Sequence, residues 1–118
     1  GENPLYLPQA KVYKACAAIG PRLVISDELP AADTSIAISI ERGGSAVFAG
    51  STTVAQIKRR FEELVDYLFR DNAFPHGVFL MTGTGIVPDD SFTLLPGDTI
   101  SITIDGVGTL VNHVDVGD

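Results

Sequence analysis

A short stretch rich in glycine and threonine, Met81-Thr-Gly-Thr-Gly-Ile86, is the first candidate for chemistry, and it directly follows the apolar run Val78–Met81. Glycines allow the backbone to approach a ligand closely, and exposed N–H groups together with a threonine hydroxyl can bind an anionic group. A glycine turn that binds no ligand is the alternative. The stretch is neither GxGxxG nor a P-loop, so the sequence does not support nucleotide binding.

The second candidate is Lys11, which follows Gln9-Ala10 and an apolar segment bounded by Pro4 and Pro8. A desolvated lysine has a lowered pKa and can accept a proton, whereas a charged lysine can hold a carboxylate. An ordinary surface lysine is the alternative to both roles.

The other titratable residues favour structural roles. His76 and His113 lie far apart, and neither has a second ligand at a metal-binding spacing. The adjacent carboxylates at 27–28 and at 89–90 lie beside turns, where such residues cap the backbone by local hydrogen bonds. No serine lies in a GxSxG motif.

Length and composition limit the class of protein. The chain has 118 residues, of which 45% are hydrophobic and 19% are charged, so it is about one domain with enough apolar material for a core. Eight basic residues against 15 acidic residues give a net charge of −7, which argues against nucleic acid or an anionic membrane as the partner. No apolar stretch predicts a membrane span or a signal peptide.

The single cysteine, Cys16, cannot form an internal disulfide, so a reducing compartment and a cytoplasmic location are expected. Its alanine neighbours predict that Cys16 is a small buried hydrophobe.

Several strands must position these candidates. Ile36, Ile38 and Ile40 alternate with polar or small residues, and Gly43-Gly44 predicts a hairpin into a second strand. Alternation at Ile100, Ile102 and Ile104, followed by Asp105-Gly106, predicts a second hairpin. The segments 22–25 and 77–82 are apolar and are predicted as buried strands, the latter covered on both faces.

One helix is predicted, over about residues 53–71, because apolar residues recur there every three or four positions from Val54 to Leu68. Thr53 and Gln56 fit a capping box at its start. The charged residues between 58 and 66 are interpreted as its solvated face. The predicted class is therefore α+β, mostly β and mostly antiparallel.

The motifs, taken together and in order, resemble the fumarylacetoacetate hydrolase superfamily. The resemblance rests on Lys11 followed by Gly20-Pro21, Gly50-Ser-Thr52 before the helix, Thr82-Gly-Thr84, and Leu95-Pro-Gly-Asp98 leading to Gly106–Asn112. It spans nearly the whole chain, residues 1–118, which is similar to the C-terminal portion of the family's catalytic domain.

The resemblance implies a mixed β-sandwich roll in which a divalent cation, usually Mg²⁺, holds a 2-oxo acid and subunits pair as dimers. It implies that Lys11 and Thr84 are catalytic and that Gln9, Gly83 and Thr84 bind substrate. The family's metal ligands are a Glu-x-Glu pair and an aspartate before the lysine. This sequence contains no Glu-x-Glu, so the metal ligands are expected on a segment outside this chain and the chain alone is expected to be inactive.

Within the superfamily, the sequence Thr82-Gly-Thr-Gly-Ile-Val-Pro88 looks more like the 2-keto-3-deoxypentonate (arabinonate or xylonate) dehydratases. The hydrolases more often have proline where this chain has Gly85. The implied chemistry is removal of a C3 proton from a metal-bound 2-oxo acid and loss of the C4 hydroxyl, giving a 2-oxo semialdehyde. Lys11 would serve as base, acid or carboxylate clamp.

Two other functions remain open at this point. One is a C–C hydrolase that cleaves acylpyruvates, since the water-activating residue of such enzymes lies outside this chain. The other is a domain that binds or assembles without catalysis. Metal-dependent turnover by the intact protein would exclude the latter.

Overall fold

Four antiparallel strands form one sheet in the computed structural model, which describes residues 12 and 14–116. The strands pair in the order β2-β1-β3-β4. Their bounds are β1, Ser35–Arg42; β2, Ser45–Thr53; β3, Thr99–Ile104; and β4, Gly108–His113. One α-helix, α1, spans Phe61–Phe69. The predicted α+β class with a mostly antiparallel sheet is confirmed.

One face of the sheet is lined by isoleucine. The register places Ile36 opposite Ile104, Ile38 opposite Ile102 and Ile40 opposite Ile100. Residues that lie opposite each other in an antiparallel pair project from the same face, so these six side chains form one apolar layer. The other face carries small and polar residues, with Ser39 opposite Ser101.

Both predicted hairpins are confirmed. Gly43 and Gly44 have φ values of 58° and 80°, and two consecutive positive φ angles are typical of the tight turns that join antiparallel strands. At the second hairpin, the amide of Val107 donates to the carbonyl of Ile104 at 3.0 Å, and Gly106 has a positive φ.

The helix is shorter than the predicted 53–71. Val54–Gln56 form a 3-10 turn, and Thr53 makes no side-chain capping bond, so the capping-box prediction is wrong. The amides of Val54 and Ala55 instead donate to the carbonyls of residues 34 and 32. The basic residues at 58–60 would oppose the positive end of a helix dipole, whereas Glu62 and Glu63 favour it, so α1 begins at Phe61.

Two predicted strands are absent from the described residues. The segment 22–25 pairs with no strand, and Leu23 and Ile25 are 70% and 89% exposed. The segment 77–82 is also unpaired, and its apolar run is largely exposed. Both runs are apolar enough to be strands, but no strand of the described part pairs with them. The prediction that Cys16 is buried is also wrong, because it is exposed.

An ion pair fastens the loop before β3 to the end of β1. The guanidinium of Arg42 donates from Nε and Nη2 to the two carboxylate oxygens of Asp98, each at 2.7 Å, and Asp98 is fully buried. Asp98 also accepts from the amide of Leu95 at 2.9 Å. The hydrogen bonds from Arg42, and to a smaller extent that from the Leu95 amide, lower the pKa of Asp98 from 3.8 to about 2.

Most apolar side chains of the described part are only partly covered. Ile40, 2% exposed, is the single buried hydrophobic residue there. No helix in this part is long and apolar enough to cross a membrane.

Candidate functional site

The segment Thr82–Ile86, here called the threonine–glycine loop, presents the Thr84 side chain at the surface. The amide of Ile86 donates to Thr84 Oγ1 at 3.2 Å. The Thr84 hydroxyl lies 3.4 Å from the carbonyl of Ile86, which is a long hydrogen bond. The Thr84 oxygen is therefore oriented by its own loop, while its proton is only weakly held and can be donated to a ligand.

The loop lies against the end of β2 at Gly85. A Cβ added to Gly85 would lie 2.6 Å from Thr52 Oγ1 and 2.9 Å from Gln56 Cβ. Both distances are shorter than real Cβ contacts, so a side chain at position 85 would force the loop away from β2. Glycine is thus required here for close approach.

A second close contact joins the next residue of the loop, Ile86, to Gly50, two residues before Thr52 on β2. A Cβ added to Gly50 would overlap Ile86 Cδ1. The Ile86 side chain therefore occupies the space that Gly50 leaves open above β2. The loop and the strand interlock, each supplying a glycine to make room for a side chain of the other.

Thr52, at the centre of this contact, is 9% exposed. Its Oγ1 is buried and has no hydrogen-bond partner among the described residues. Burying a hydroxyl without a partner costs about 1–3 kcal/mol in proteins, so packing alone does not explain why a threonine stands here.

An open cavity of about 510 Å³ adjoins the loop at Thr82. Its lining is mainly apolar and includes Ile36, Val54 and Phe61, with Glu28 and Asp105 as the charged residues. Both are acidic, so the cavity does not attract a carboxylate. Thr84 does not line it, and the loop itself is the better position for an anionic group.

Of the residues predicted to form a site, the structure describes Gly83 and Thr84, which are adjacent in the loop; Gly83 has a φ of 85°. Gln9 and Lys11 lie outside the described residues, so the substrate-binding role of Gln9 and the catalytic role of Lys11 stay predictions.

Several of the titratable residues for which structural roles were predicted make local hydrogen bonds or ion pairs. Asp89 accepts from the amide and hydroxyl of Ser91, which lower its pKa. His113 Nδ1 lies 3.0 Å from Thr99 Oγ1, within the sheet. Glu63 of α1 and Arg59, which precedes the helix, lie 3.4 Å apart at the surface, measured between Oε1 and Nη1.

Metal binding is not explained by the described residues. No group of three or more His, Cys, Asp or Glu side chains among them is placed to hold an ion. Buried Asp98, which has the right chemistry, is fully engaged by Arg42 and Leu95. These residues therefore do not fit a magnesium ion.

The family model described as fumarylacetoacetate (FAA) hydrolase C-terminal matches residues 2–115. The chain belongs to this family. The threonine–glycine loop is one of the motifs on which the resemblance to this family rested. The family assignment is confirmed.

Two curated relatives share close to half of its sequence. A probable 2-keto-3-deoxyxylonate dehydratase from Haloferax volcanii is 43% identical over 115 residues, covering 97% of this chain and 40% of the relative. A 2-dehydro-3-deoxy-D-arabinonate dehydratase from Saccharolobus solfataricus is 45% identical over 114 residues, covering 96% of this chain and 38% of the relative. The chain thus spans about 40% of the length of these curated relatives.

Solved structures agree with this assignment. A 2-keto-3-deoxy-D-arabinonate dehydratase complexed with magnesium and 2,5-dioxopentanoate has a TM-score of 0.89 and 44% identity, covering 97% of this chain and 41% of that one. The apo form of a 2-keto-3-deoxy-D-arabinonate dehydratase has a TM-score of 0.91 and 43% identity, and the match covers 99% of this chain and 42% of that one. The expected fold of the family's C-terminal domain is confirmed.

The contacts of Thr52 and Gln56 with the loop were not predicted from the sequence. Gly50 was the available signal, because a glycine inside a strand often marks a close approach of another segment. The Arg42–Asp98 pair was also missed, since its partners are 56 residues apart and only the fold brings them together.

Proposed function

We propose that this chain is the C-terminal part of a magnesium-dependent dehydratase that converts a 2-keto-3-deoxy sugar acid to a 2-oxo semialdehyde and water. The observation that carries the proposal is the similarity, at 43–45% identity, to dehydratases of 2-keto-3-deoxypentonates across nearly the whole chain. The bound 2,5-dioxopentanoate of the solved relative is a 2-oxo acid with an aldehyde, as this reaction requires of its product.

The threonine–glycine loop would bind the carboxylate of the 2-oxo acid. The Thr84 hydroxyl is exposed, its oxygen already accepts the Ile86 amide, and its proton is weakly held. A hydroxyl in this state can donate to an anion at little cost, and hydrogen bonds to charged groups are stronger than those between neutral groups.

We further propose that the metal ligands and the rest of the active site come from outside the described residues. Lys11 would act on the substrate as base, acid or carboxylate clamp, and Gln9 would help to bind it. The dehydration begins with loss of the C3 proton and the C4 hydroxyl, which leave together as water and give a C3–C4 double bond. Transfer of a proton from C5 to C3 moves this double bond to C4–C5, and the resulting enol tautomerises to the C5 aldehyde.

The protein would act in sugar acid catabolism in the cytoplasm, as a dimer or a larger homo-oligomer. A lone cysteine suits a reducing compartment. Largely exposed apolar side chains such as Val111 on β4 suit association with further protein surface.

The test is turnover by the full-length protein that carries this chain. Incubation with Mg²⁺ and 2-keto-3-deoxypentonate, followed by proton NMR, is expected to show the aldehyde proton of 2,5-dioxopentanoate. Cleavage of an acylpyruvate with the sugar acid left intact would instead assign the protein to the hydrolases. Absence of both reactions would support a domain that binds or assembles only.

A further inference from the structure

Packing of β2 does not by itself explain the buried hydroxyl of Thr52. Thr52 is 9% exposed and its Oγ1 has no partner among the described residues. A valine would fill the same volume without burying a polar atom. A buried polar group left unpaired in this way calls for an explanation outside the resting structure.

The position of this hydroxyl connects it with the candidate site. It lies against Gly85, within 2.6 Å of the point that a Cβ would occupy there. Gly85 directly follows Thr84, and the peptide group that joins them lies beside the same Cα. The two peptide groups that flank the Gly85 Cα are therefore the backbone groups that a change of conformation at Gly85 would turn towards Thr52 Oγ1.

The loop is built so that such a change of conformation can occur locally. At its far end, Ile86 is fixed above Gly50 by side-chain packing. On either side of Thr84 stands a glycine, and Gly83 already has a φ of 85°. Because glycine has no Cβ, its backbone changes conformation with little steric cost. Thr84 can thus reorient while the remainder of the loop stays in place.

We propose that Thr52 is a positioning residue for Thr84: when a 2-oxo acid binds, its hydroxyl bonds the backbone at Gly85 and fixes the direction of the Thr84 hydroxyl. The inference rests on the proposed function, since it takes the Thr84 hydroxyl as the donor to the carboxylate. Thr52 itself does not touch the substrate.

Two substitutions separate the hydroxyl of Thr52 from its shape. Thr52→Val keeps the branched shape and removes the hydroxyl, whereas Thr52→Ser keeps the hydroxyl. Thr109→Val is the matched control, because Thr109 lies on the exposed strand β4 and bonds Thr103 at 2.8 Å. Each variant is made in the full-length protein, and kcat, KM and melting temperature are measured with Mg²⁺ and 2-keto-3-deoxypentonate.

We expect Thr52→Val to lower kcat/KM by about 10- to 100-fold, the cost of a misplaced binding group. The loss should fall mainly on KM, because a carboxylate contact is made in both the ground state and the transition state. The melting temperature should not fall. Thr52→Ser should stay within about threefold of the wild type, and Thr109→Val should match it.

A Thr52→Val variant with the kcat and KM of the wild type would overturn the inference. So would equal losses of kcat/KM in Thr52→Val and Thr52→Ser that are accompanied by a matching fall in melting temperature. Binding of 2,5-dioxopentanoate with Mg²⁺, measured by calorimetry, separates the two proposals. If the wild-type protein binds 2,5-dioxopentanoate but does not dehydrate the sugar acid, the proposed reaction is refuted. The inference about Thr52 is then decided by whether Thr52→Val binds 2,5-dioxopentanoate more weakly than the wild type does. A wild type that neither binds nor reacts refutes both.

Discussion

Replacing Gly85 with alanine tests whether the threonine–glycine loop is held by close packing on β2. The added Cβ would meet Thr52 Oγ1 at 2.6 Å and Gln56 Cβ at 2.9 Å, and the Gln56 carbonyl oxygen at 3.5 Å. The first two distances are well inside the 3.4 Å at which ordinary van der Waals contact begins. Either the loop or the 3-10 turn must therefore move.

The expected cost follows from the kind of atoms that the new methyl group meets. Gln56 contributes a Cβ and a backbone oxygen, which cannot swing aside as the end of a long side chain can. Overpacking of this type costs about 1–3 kcal/mol. The Gly85 φ lies outside the positive range, so no backbone strain adds to this cost. A urea titration followed by circular dichroism measures it as a lower midpoint with an unchanged slope.

A double-mutant cycle identifies the source of the cost. Thr52→Ala removes the nearer of the two clashing atoms, so Gly85→Ala should be less harmful in that background by about 0.5–3 kcal/mol. Gly83→Ala is the control. Its Cβ would meet nothing within 4 Å, but its φ of 85° disfavours alanine by about 1–2 kcal/mol, and Thr52→Ala should not relieve it.

Additive free energies for Gly85→Ala and Thr52→Ala, within about 0.5 kcal/mol, would refute the reasoning. So would a Gly85→Ala variant as stable as the wild type. Either result would mean that the loop does not rest on Thr52.

Four further predictions concern the ion pair, the core and the site. Because the pKa of Asp98 is lowered from 3.8 to about 2, its ionised form stabilises the fold above pH 3.8, and this contribution is lost as the pH falls towards 2. Asp98→Asn should therefore flatten the dependence of melting temperature on pH between about 2 and 4, and an unaltered profile would contradict the pairing with Arg42. Ile40→Ala should lower the free energy of unfolding by about 2–5 kcal/mol in a urea titration, whereas a loss below about 1 kcal/mol would mean that this site is not a packed core. Thr84→Ala should reduce turnover far more than melting temperature, while Thr93→Ala, on an exposed loop, should change neither; equal losses in rate and stability at Thr84 would indicate a packing role. Treatment of the full-length protein with EDTA should abolish turnover, and added Mg²⁺ should restore it; full activity after chelation would exclude the metal.

The sheet was predictable because its signal is local. Alternation of isoleucine with small or polar residues fixes which side of a strand faces the apolar layer, and Gly43-Gly44 and Asp105-Gly106 mark the turns. The helix start was less predictable, since the amides of Val54 and Ala55 bond the loop before β1, and periodicity does not reveal such partners.

The segments 22–25 and 77–82 show a different limit. Apolar composition indicates that a segment prefers to be covered, but it does not say whether the covering surface lies in the same chain. In the described part, Phe79 and Met81 remain 63% and 65% exposed.

The candidate site was predicted in part. Residue types singled out the stretch 81–86, and the family resemblance chose Gly83 and Thr84 within it and added Lys11 and Gln9. The roles of all four residues stay predictions. The support from Thr52 depends on a contact across 33 positions of the chain, which spacing alone does not encode.

The two-faced sheet has a consequence for how this domain tolerates insertions. One residue inserted within β1 or β3 would turn every isoleucine beyond it to the face of Ser39 and Ser101, exchanging an apolar layer for hydroxyl groups along the rest of the strand. A residue inserted at Gly43-Gly44 or at Gly106 changes only a turn. Length variation in related chains should therefore be confined to the turns, whereas the strands should keep a fixed length even where their residues change.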